Sequence, residues 1–303
     1  MRTFRYTVPP EDDGRLIKRV IRGRLGLSHR QFVLLKGEDG MLLDGTPVHA
    51  NQIVRAGQVI QVRLAEKGGA LEARPGPVDV VYEDQDILII NKQAPLPCQA
   101  SSRQQGDALE HYLAYRFRDQ PSFTFRPVNR LDKGTSGLMA AAMNAHAQMV
   151  LSQALHGPGF LREYLALVEG VPPEPRGLVD APIGKAPGAT VRREVQPQGK
   201  SARTHYQVLS TGRGVSLVRL RLETGRTHQI RVHMAYLGCP VLGDFLYGRE
   251  CPSLPGRFAL HSARIALTHP QTGALLDFSA PLPPQLQALC PCPIPGSNKP
   301  FHC

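Results

Sequence analysis

The sequence predicts an α+β fold: a mainly antiparallel, mixed sheet with flanking helices, preceded by a small α/β domain. Three observations carry this expectation. Beyond residue 78 a series of apolar segments, many alternating in polarity and separated by Gly and Pro turns, reads as successive strands of an antiparallel sheet. No βαβ unit repeats along the chain, and no Gly-rich phosphate loop interrupts the pattern. Ahead of these strands the Gly- and Pro-rich stretch Glu66–Pro77 reads as a connector that sets apart a short basic region. The expected organisation is a small basic domain over 1–66, a linker over 67–77, a larger domain over 78–284 and a disordered tail over 285–303.

Taken in order, residues 14–25 read as a helix, with Leu16, Ile17, Val20 and Ile21 on one face and Arg15, Lys18, Arg19 and Arg22 on its neighbour. Gly26 stops it, and Ser28 caps a second short helix over 29–36 that carries Arg30. Over residues 13–36 seven Lys and Arg stand against one acid, Asp13. Met41–Leu43, an Asp44-Gly45 turn and Gln58–Leu64 form a small sheet. In the larger domain Val78–Tyr82 and Ile87–Lys92 are strands joined by the acidic turn 83–86, and Asp107–Arg118 is a helix. Leu138–Met143 is a short apolar run, and Asn144 caps a helix that runs to Leu155. Tyr164–Glu169, Thr204–Ser210, Val215–Leu222, Phe258–Leu267 and Leu275–Phe278 are further strands, residues 186–203 a basic loop, and 225–238 a helix capped by Thr227 and ended by Gly238.

At 303 residues, with 42% hydrophobic and 20% charged residues, the chain has the make-up of a globular protein with a sizeable core. No apolar run approaches the roughly 20 residues that span a bilayer, and the start Met1-Arg2-Thr3-Phe4-Arg5-Tyr6 lacks the apolar stretch of a signal peptide. A cytoplasmic location with no membrane partner is expected. The net charge of +11 points to a polyanionic partner. The six cysteines are too irregular for a disulfide framework and are read as thiols. Cys290, Cys292, His302 and Cys303 match no common zinc spacing, and no metal site is expected.

Three segments carry unusual chemistry. The first, Val128-Asn129-Arg130-Leu131-Asp132-Lys133-Gly134-Thr135-Ser136-Gly137-Leu138, sets one carboxylate two residues after an arginine and before a run of small residues. Such a segment suits a solvated turn, and it also suits a nucleophile on a loop beside a strand. A carboxylate that must attack from a partly dry cleft needs a cation nearby, because burial favours its protonated form and a guanidinium opposes that. The second is Arg162-Glu163-Tyr164-Leu165, where Tyr164 by itself would be a strand-face tyrosine. The third is Gly225-Arg226-Thr227-His228-Gln229-Ile230-Arg231-Val232-His233. Its histidines are five apart rather than the four that would set two zinc ligands side by side.

These three segments, in this order, resemble the RluA-type family of pseudouridine synthases, over residues 78–280. The resemblance implies an isomerase that converts uridine to pseudouridine in structured RNA (ribosomal or transfer RNA) with no metal or nucleotide cofactor. It implies Asp132 as nucleophile, Arg231 as the partner that keeps it charged and oriented, and Tyr164 against the uracil, assisting proton removal. Arg130 would fill the gap left by an extruded uridine, which costs a few kcal/mol to unstack. Asn129, where the family commonly has His, would join Thr135, Arg226, His228 and Gln229 around the substrate. Residues 13–65 resemble the RNA-binding domain first seen in ribosomal protein S-four, which would place Arg15, Lys18, Arg19, Arg22 and Arg30 on RNA. No helical seam suggests an oligomer, so a monomer is expected. The rival readings are a non-catalytic RNA-binding or ribosome-assembly protein and an aspartate hydrolase; the latter lacks a Gly-x-Ser-x-Gly elbow or a metal pair.

Overall fold

Among the described residues the alternating sequence folds into two main sheets with separate apolar cores and one two-stranded hairpin. The computed structural model describes residues 2–24, 32, 35, 40–64, 72–100, 106–120, 122–155, 157 and 159–291. Arg30, most of the expected second helix and the last twelve residues, 292–303, lie outside them. Among the described residues no helix is long and apolar enough to cross a membrane.

The first sheet has the order β1-β4-β2-β3, with β1 Arg2–Thr7, β2 Met41–Leu43, β3 Thr46–Pro47 and β4 Val59–Leu64. Strand β1 adds to the elements expected from the sequence. It pairs antiparallel with β4 from Arg2↔Leu64 to Thr7↔Val59, and Phe4 and Val8 turn into the core. Helix α1, Ile17–Arg24, packs Ile17, Val20 and Ile21 against Val54, Ile60 and Val62. The fully buried Asp12 fastens helix to strand. Its carboxylate accepts from Tyr6 Oη at 2.8 Å and Arg24 Nε at 2.8 Å, and Arg15 Nη1 lies 3.1 Å away. The Arg24 bond, set against the cost of burial, holds that carboxyl below its usual range.

The second sheet has ten strands: β5 Val80–Glu83, β6 Ile87–Lys92, β7 Arg126–Pro127, β8 Ser136–Ala142, β9 Phe160–Glu169, β10 Arg176–Asp180, β13 Arg203–Gly212, β14 Val215–Leu222, β15 Leu260–Thr268 and β16 Leu275–Ser279. Its order is β10-β13-β14-β9-β15-β8-β6-β5, with β16 on β15 and β7 on β8. The pairings are antiparallel except β8 with β15. A separate hairpin, β11 Ile183–Lys185 with β12 Arg193–Val195, occupies part of the expected basic loop.

The central strands read as near-continuous apolar runs because both their faces are covered. In β6, Ile87 and Ile89 point to one core and Leu88 and Ile90 to the other; in β8, Leu138, Ala140 and Ala142 alternate in the same way with Met139 and Ala141. Helix α2, Leu109–Arg116, closes one face through Leu109 and Leu113. Helix α3, Ala145–Ala154, closes the other through Ala147 and Leu151. Asn144 caps α3 by accepting from Ala147 N at 2.9 Å. Helix α4 is Gln229–Tyr236, shorter than expected: His228, not Thr227, is its N-cap, in the left-handed region at φ +59°. Helix α5, Pro284–Gln287, packs Leu286 into a core that also buries Cys290, so the packed chain continues past residue 284.

Gly137 decides where the site forms. It sits at φ +105° where β8 meets β15, and a Cβ there would lie 2.2 Å from the Ser262 carbonyl oxygen. Only glycine lets the strands touch so closely, and the loop ahead of it is therefore delivered to the end of β15.

Candidate active site

The loop 129–135 enters β8 at one end of the large sheet, and its backbone is pinned from behind. Thr135 N donates to the Asp132 carbonyl at 3.0 Å, and Leu96 N donates to that of Lys133 at 3.0 Å. The buried Lys92 ammonium donates to the carbonyls of Gln93 (2.8 Å), Leu96 (2.6 Å) and Lys133 (3.4 Å). Cys98 Sγ donates to the Leu131 carbonyl at 3.2 Å. Burial pushes the Lys92 ammonium down to about 8, against the pull of the Asp132 charge. The Asp132 carboxylate is left 28% exposed. It faces a cleft of about 740 Å³, the size range of small-molecule sites.

Helix α4 brings Arg231 to that carboxylate. Arg231 Nη1 donates to Asp132 Oδ2 at 3.0 Å, while Nε and Nη2 form a two-pronged bond to Asp244 at 2.6 and 2.8 Å. The guanidinium lies 4.2 Å from the centre of the Phe258 ring and 5.0 Å from that of Tyr247. Phe258 reaches this position because Gly134 has no side chain: a Cβ there would stand 2.7 Å from the ring. Burial disfavours the Arg231 charge, yet its bond to Asp244 and the two carboxylate charges outweigh that and raise its pKa. Asp244 is fully buried and also accepts from the backbone N of Leu246 and Tyr247. One carboxylate thus fixes the guanidinium, and a third N–H remains for Asp132.

His228 stands beside this pair, its Nε2 4.0 Å from Asp132 Oδ2. Its Nδ1 meets Tyr247 Oη at 2.8 Å, and that oxygen accepts from Arg193 N at 2.9 Å. The bond to Tyr247 holds the ring with Nε2 on the side of Asp132. Burial lowers the His228 pKa, partly countered by the Asp132 charge. Tyr164, on β9, is buried in the lining of the cleft, and burial raises the pKa of its hydroxyl.

The other expected residues divide into two groups. Arg130 is exposed at the cleft, where Asn129, Thr135 and Arg226 also line the wall. Arg226 Nε donates to the Ser201 carbonyl at 2.9 Å. Gln229 also lines the cleft, but its amide is held from within the protein. Its oxygen accepts from Thr224 Oγ1 and Arg226 N, and its nitrogen donates to the Arg203 carbonyl and Thr204 Oγ1. An amide with both donors and both acceptors engaged braces the start of α4 and has nothing left for a ligand. Arg15, Lys18, Arg19 and Arg22 are exposed around α1 and are not among the residues lining this cleft.

One cluster has the donor set of a metal site: Asp84, Asp86 and His269, with ligand atoms within 4.8 Å of one another. The lone pairs of His269 and Asp84 are already in use. His269 Nδ1 accepts from Gln271 N and Thr272 N, and its Nε2–H donates to Asp84 at 2.9 Å. Asp84 also accepts from Tyr82 Oη and from the backbone of Asp86 and Ile87. The cluster ties the β5–β6 turn to the end of β15 and lines no part of the cleft.

Comparison with known proteins identifies what kind of molecule carries this cleft. The family model described as RNA pseudouridylate synthase matches residues 86–236. An uncharacterized RNA pseudouridine synthase of Bacillus subtilis, YjbO, is 38% identical over 285 residues, covering 91% of this chain and 97% of its own. The chain belongs to the RNA pseudouridine synthase family. Ribosomal large subunit pseudouridine synthase D of Vibrio cholerae is 39% identical over 247 residues, 76% of this chain and 75% of its own. Human RNA pseudouridylate synthase domain containing 1 superposes with a TM-score of 0.57 at 30% identity, over 71% of this chain and 89% of that one. The synthase is thus an isomerase acting on RNA, built as an α+β fold with a mostly antiparallel sheet. The family match begins beyond the four-stranded N-terminal sheet.

Sequence reasoning misses Asp244, Tyr247 and Lys92 in this synthase. A signal for Asp244 exists in principle: an arginine on a buried helix face has five N–H donors, more than one reactive carboxylate can hold. Tyr247 and Lys92 give no such sign, because an exposed tyrosine and a solvated strand-end lysine look the same in sequence.

Proposed function

We propose that this synthase isomerises uridines in structured ribosomal or transfer RNA, large-subunit ribosomal RNA foremost, with Asp132 as nucleophile. The observation that carries the reading is the bond from Arg231 to Asp132 inside a cleft that Tyr164 also lines. A relative that is 39% identical bears the name of a large-subunit ribosomal enzyme, which supports the choice of RNA. In the reaction the uracil N1–C1′ bond breaks and the base turns. A C5–C1′ bond then forms, the proton on C5 leaves and N1 gains one, so the RNA changes in connectivity alone. Asp132 attacks the nucleotide and later leaves it unchanged, which needs no cofactor. Arg231, held by Asp244, aims the carboxylate and stabilises its charge. Tyr164 sits against the base and assists removal of the C5 proton. Arg130 fills the space vacated by the extruded uridine, while Asn129, Thr135, Arg226 and His228 border the bound nucleotide.

The N-terminal unit over 1–66, joined through 67–77 to the catalytic unit over 78–284, resembles the RNA-binding domain of ribosomal protein S-four. Its exposed Arg15, Lys18, Arg19 and Arg22 supply the wider grip on RNA. The protein works as a cytoplasmic monomer. Mapping pseudouridine in cellular RNA with and without the gene tests target and activity together. Sites should vanish on deletion, return with the wild-type gene and stay absent with Asp132→Asn. Restoration by Asp132→Asn at the wild-type level would rule out the nucleophile.

A further inference from the structure

The cleft wall holds a second buried guanidinium, and this one has no carboxylate. Arg162 lies on β9 two residues before Tyr164, so both side chains leave the strand on the same face. It lines the cleft and is 3% exposed. Its Nη2 donates to the Leu155 carbonyl at 3.1 Å. Its Nε is buried without a hydrogen-bond partner, and no acid pairs with it among the described residues. Arg231, in the same cleft, is bound to two carboxylates. A second donor of the wall is also unused. Asn129 Oδ1 accepts from Ala140 N at 2.9 Å, which fixes the orientation of the amide, and Nδ2 is buried without a partner.

A guanidinium without an anion in so dry a place weakens the free protein, since its charge loses hydration and gains nothing in exchange. Burial accordingly lowers its pKa. Such a residue makes physical sense when the ligand supplies the missing charge. A uridine's base offers neutral carbonyls, whereas each phosphodiester carries a full negative charge on two oxygens that match the guanidinium fork. We propose that Arg162, with Asn129 as a second donor, receives a phosphodiester of the RNA segment that carries the target uridine. This assignment rests on the reading that the Asp132 cleft takes that uridine.

The test uses the full-length protein and total RNA from cells lacking the gene, under single-turnover conditions with enzyme in excess. Half-saturating enzyme concentration and maximal rate are measured over a range of salt, together with the melting temperature of the free protein. Arg162→Met should raise the half-saturating concentration by about tenfold at low salt and change the maximal rate far less. Its log–log salt slope should be shallower by about 0.7, the value of one neutralised single-strand phosphate. The free variant should melt no lower than wild type, because the uncompensated charge is gone. Arg162→Lys, which keeps a cation, should recover most of the affinity. Unchanged half-saturation with a lower maximal rate would place Arg162 on the reacting base and overturn the proposal. A lowered melting temperature with unchanged half-saturation would make it a strut of the fold and overturn it equally. Should Arg162→Met not fold, the salt slope of Arg162→Gln decides in its place. If Asp132→Asn modified this RNA at the wild-type rate, the reading of the cleft would fail, a result separate from any change in half-saturation.

Discussion

At the scale of single residues, the site is a set of charges whose supports come from distant parts of the chain. Asp132 and Arg231 are 99 positions apart and 3.0 Å from each other. The sequence points to Asp132, Tyr164 and Arg231 through the resemblance of their three segments, in order, to the RluA-type family; taken alone, Tyr164 reads as a strand-face tyrosine. It is silent on Asp244 and Lys92, whose parts depend on neighbours that only the fold creates. Lys92 carries a prediction. Its ammonium clamps Gln93, Leu96 and Lys133 beneath Asp132, and its pKa falls from 10.5 to about 8. Because the folded value is the lower one, the unfolded chain binds more protons between pH 8 and 10.5. The group's contribution to stability therefore rises with pH through that window and is lost again as pH falls through 8. Activity moves the other way, since deprotonation removes the positive charge behind Asp132. Single-turnover rates should drop about tenfold from pH 7.5 to 9, as expected one unit above a controlling pKa, while thermal stability gains from this residue. Lys92→Met should be slow and flat over the same range; an undiminished alkaline decline in that variant would assign the titration to another group.

At the scale of elements, periodicity locates strands well and boundaries poorly. The alternation over Val215–Leu222 marks the true ends of that strand, and the cap at Asn144 is made by its side chain. Strand β1 escapes a sequence reading although Phe4, Tyr6 and Val8 alternate with polar neighbours, because the arginine and threonine positions around them look like a solvated start. The helix over 225–238 begins only at Gln229, since His228 takes a left-handed conformation that its sequence neighbours do not announce. The parallel pairing of β8 with β15 is not legible either. It depends on Gly137, where any Cβ meets the Ser262 backbone at 2.2 Å, an obstacle that no rotamer can avoid. Gly137→Ala should therefore cost roughly 2–4 kcal/mol. That would lower the melting temperature by about 3–6 °C for a chain of this size and shift the Asp132 loop with it. Differential scanning calorimetry against Gly214→Ala, where a Cβ meets nothing within 4 Å, separates lost space from the backbone strain both positions share. Equal losses at the two positions would show that the close approach of β8 to β15 contributes little.

At the scale of the whole molecule, the question is how a +11 chain divides its charge between grip and chemistry. The small sheet touches the large one where the rings of Phe4 and His146 lie 4.5 Å apart. His146 belongs to α3, whose Gln148 helps line the cleft. On the proposed function, RNA held by the N-terminal unit would be kept next to the wall that meets the uridine, which raises its effective concentration at Asp132. Lys18, Arg19 and Arg22 are exposed on α1, whereas Arg15 and Arg24 are tied to Asp12, so the free cations of this helix are the first three among those described. Replacing all three by Glu should leave the melting temperature within about 2 °C, since exposed substitutions rarely exceed ~0.5 kcal/mol each. Apparent affinity for structured RNA should fall at least about tenfold at low salt, and the salt slope should become shallower by about 0.9 for each duplex phosphate no longer neutralised. The maximal single-turnover rate should change least, because these side chains are not among the residues that line the cleft. Binding measured by filter retention and rates measured at saturating enzyme separate the two effects. An unchanged salt slope in the triple variant would mean that the N-terminal helix is a scaffold and that the RNA is gripped by the catalytic unit alone.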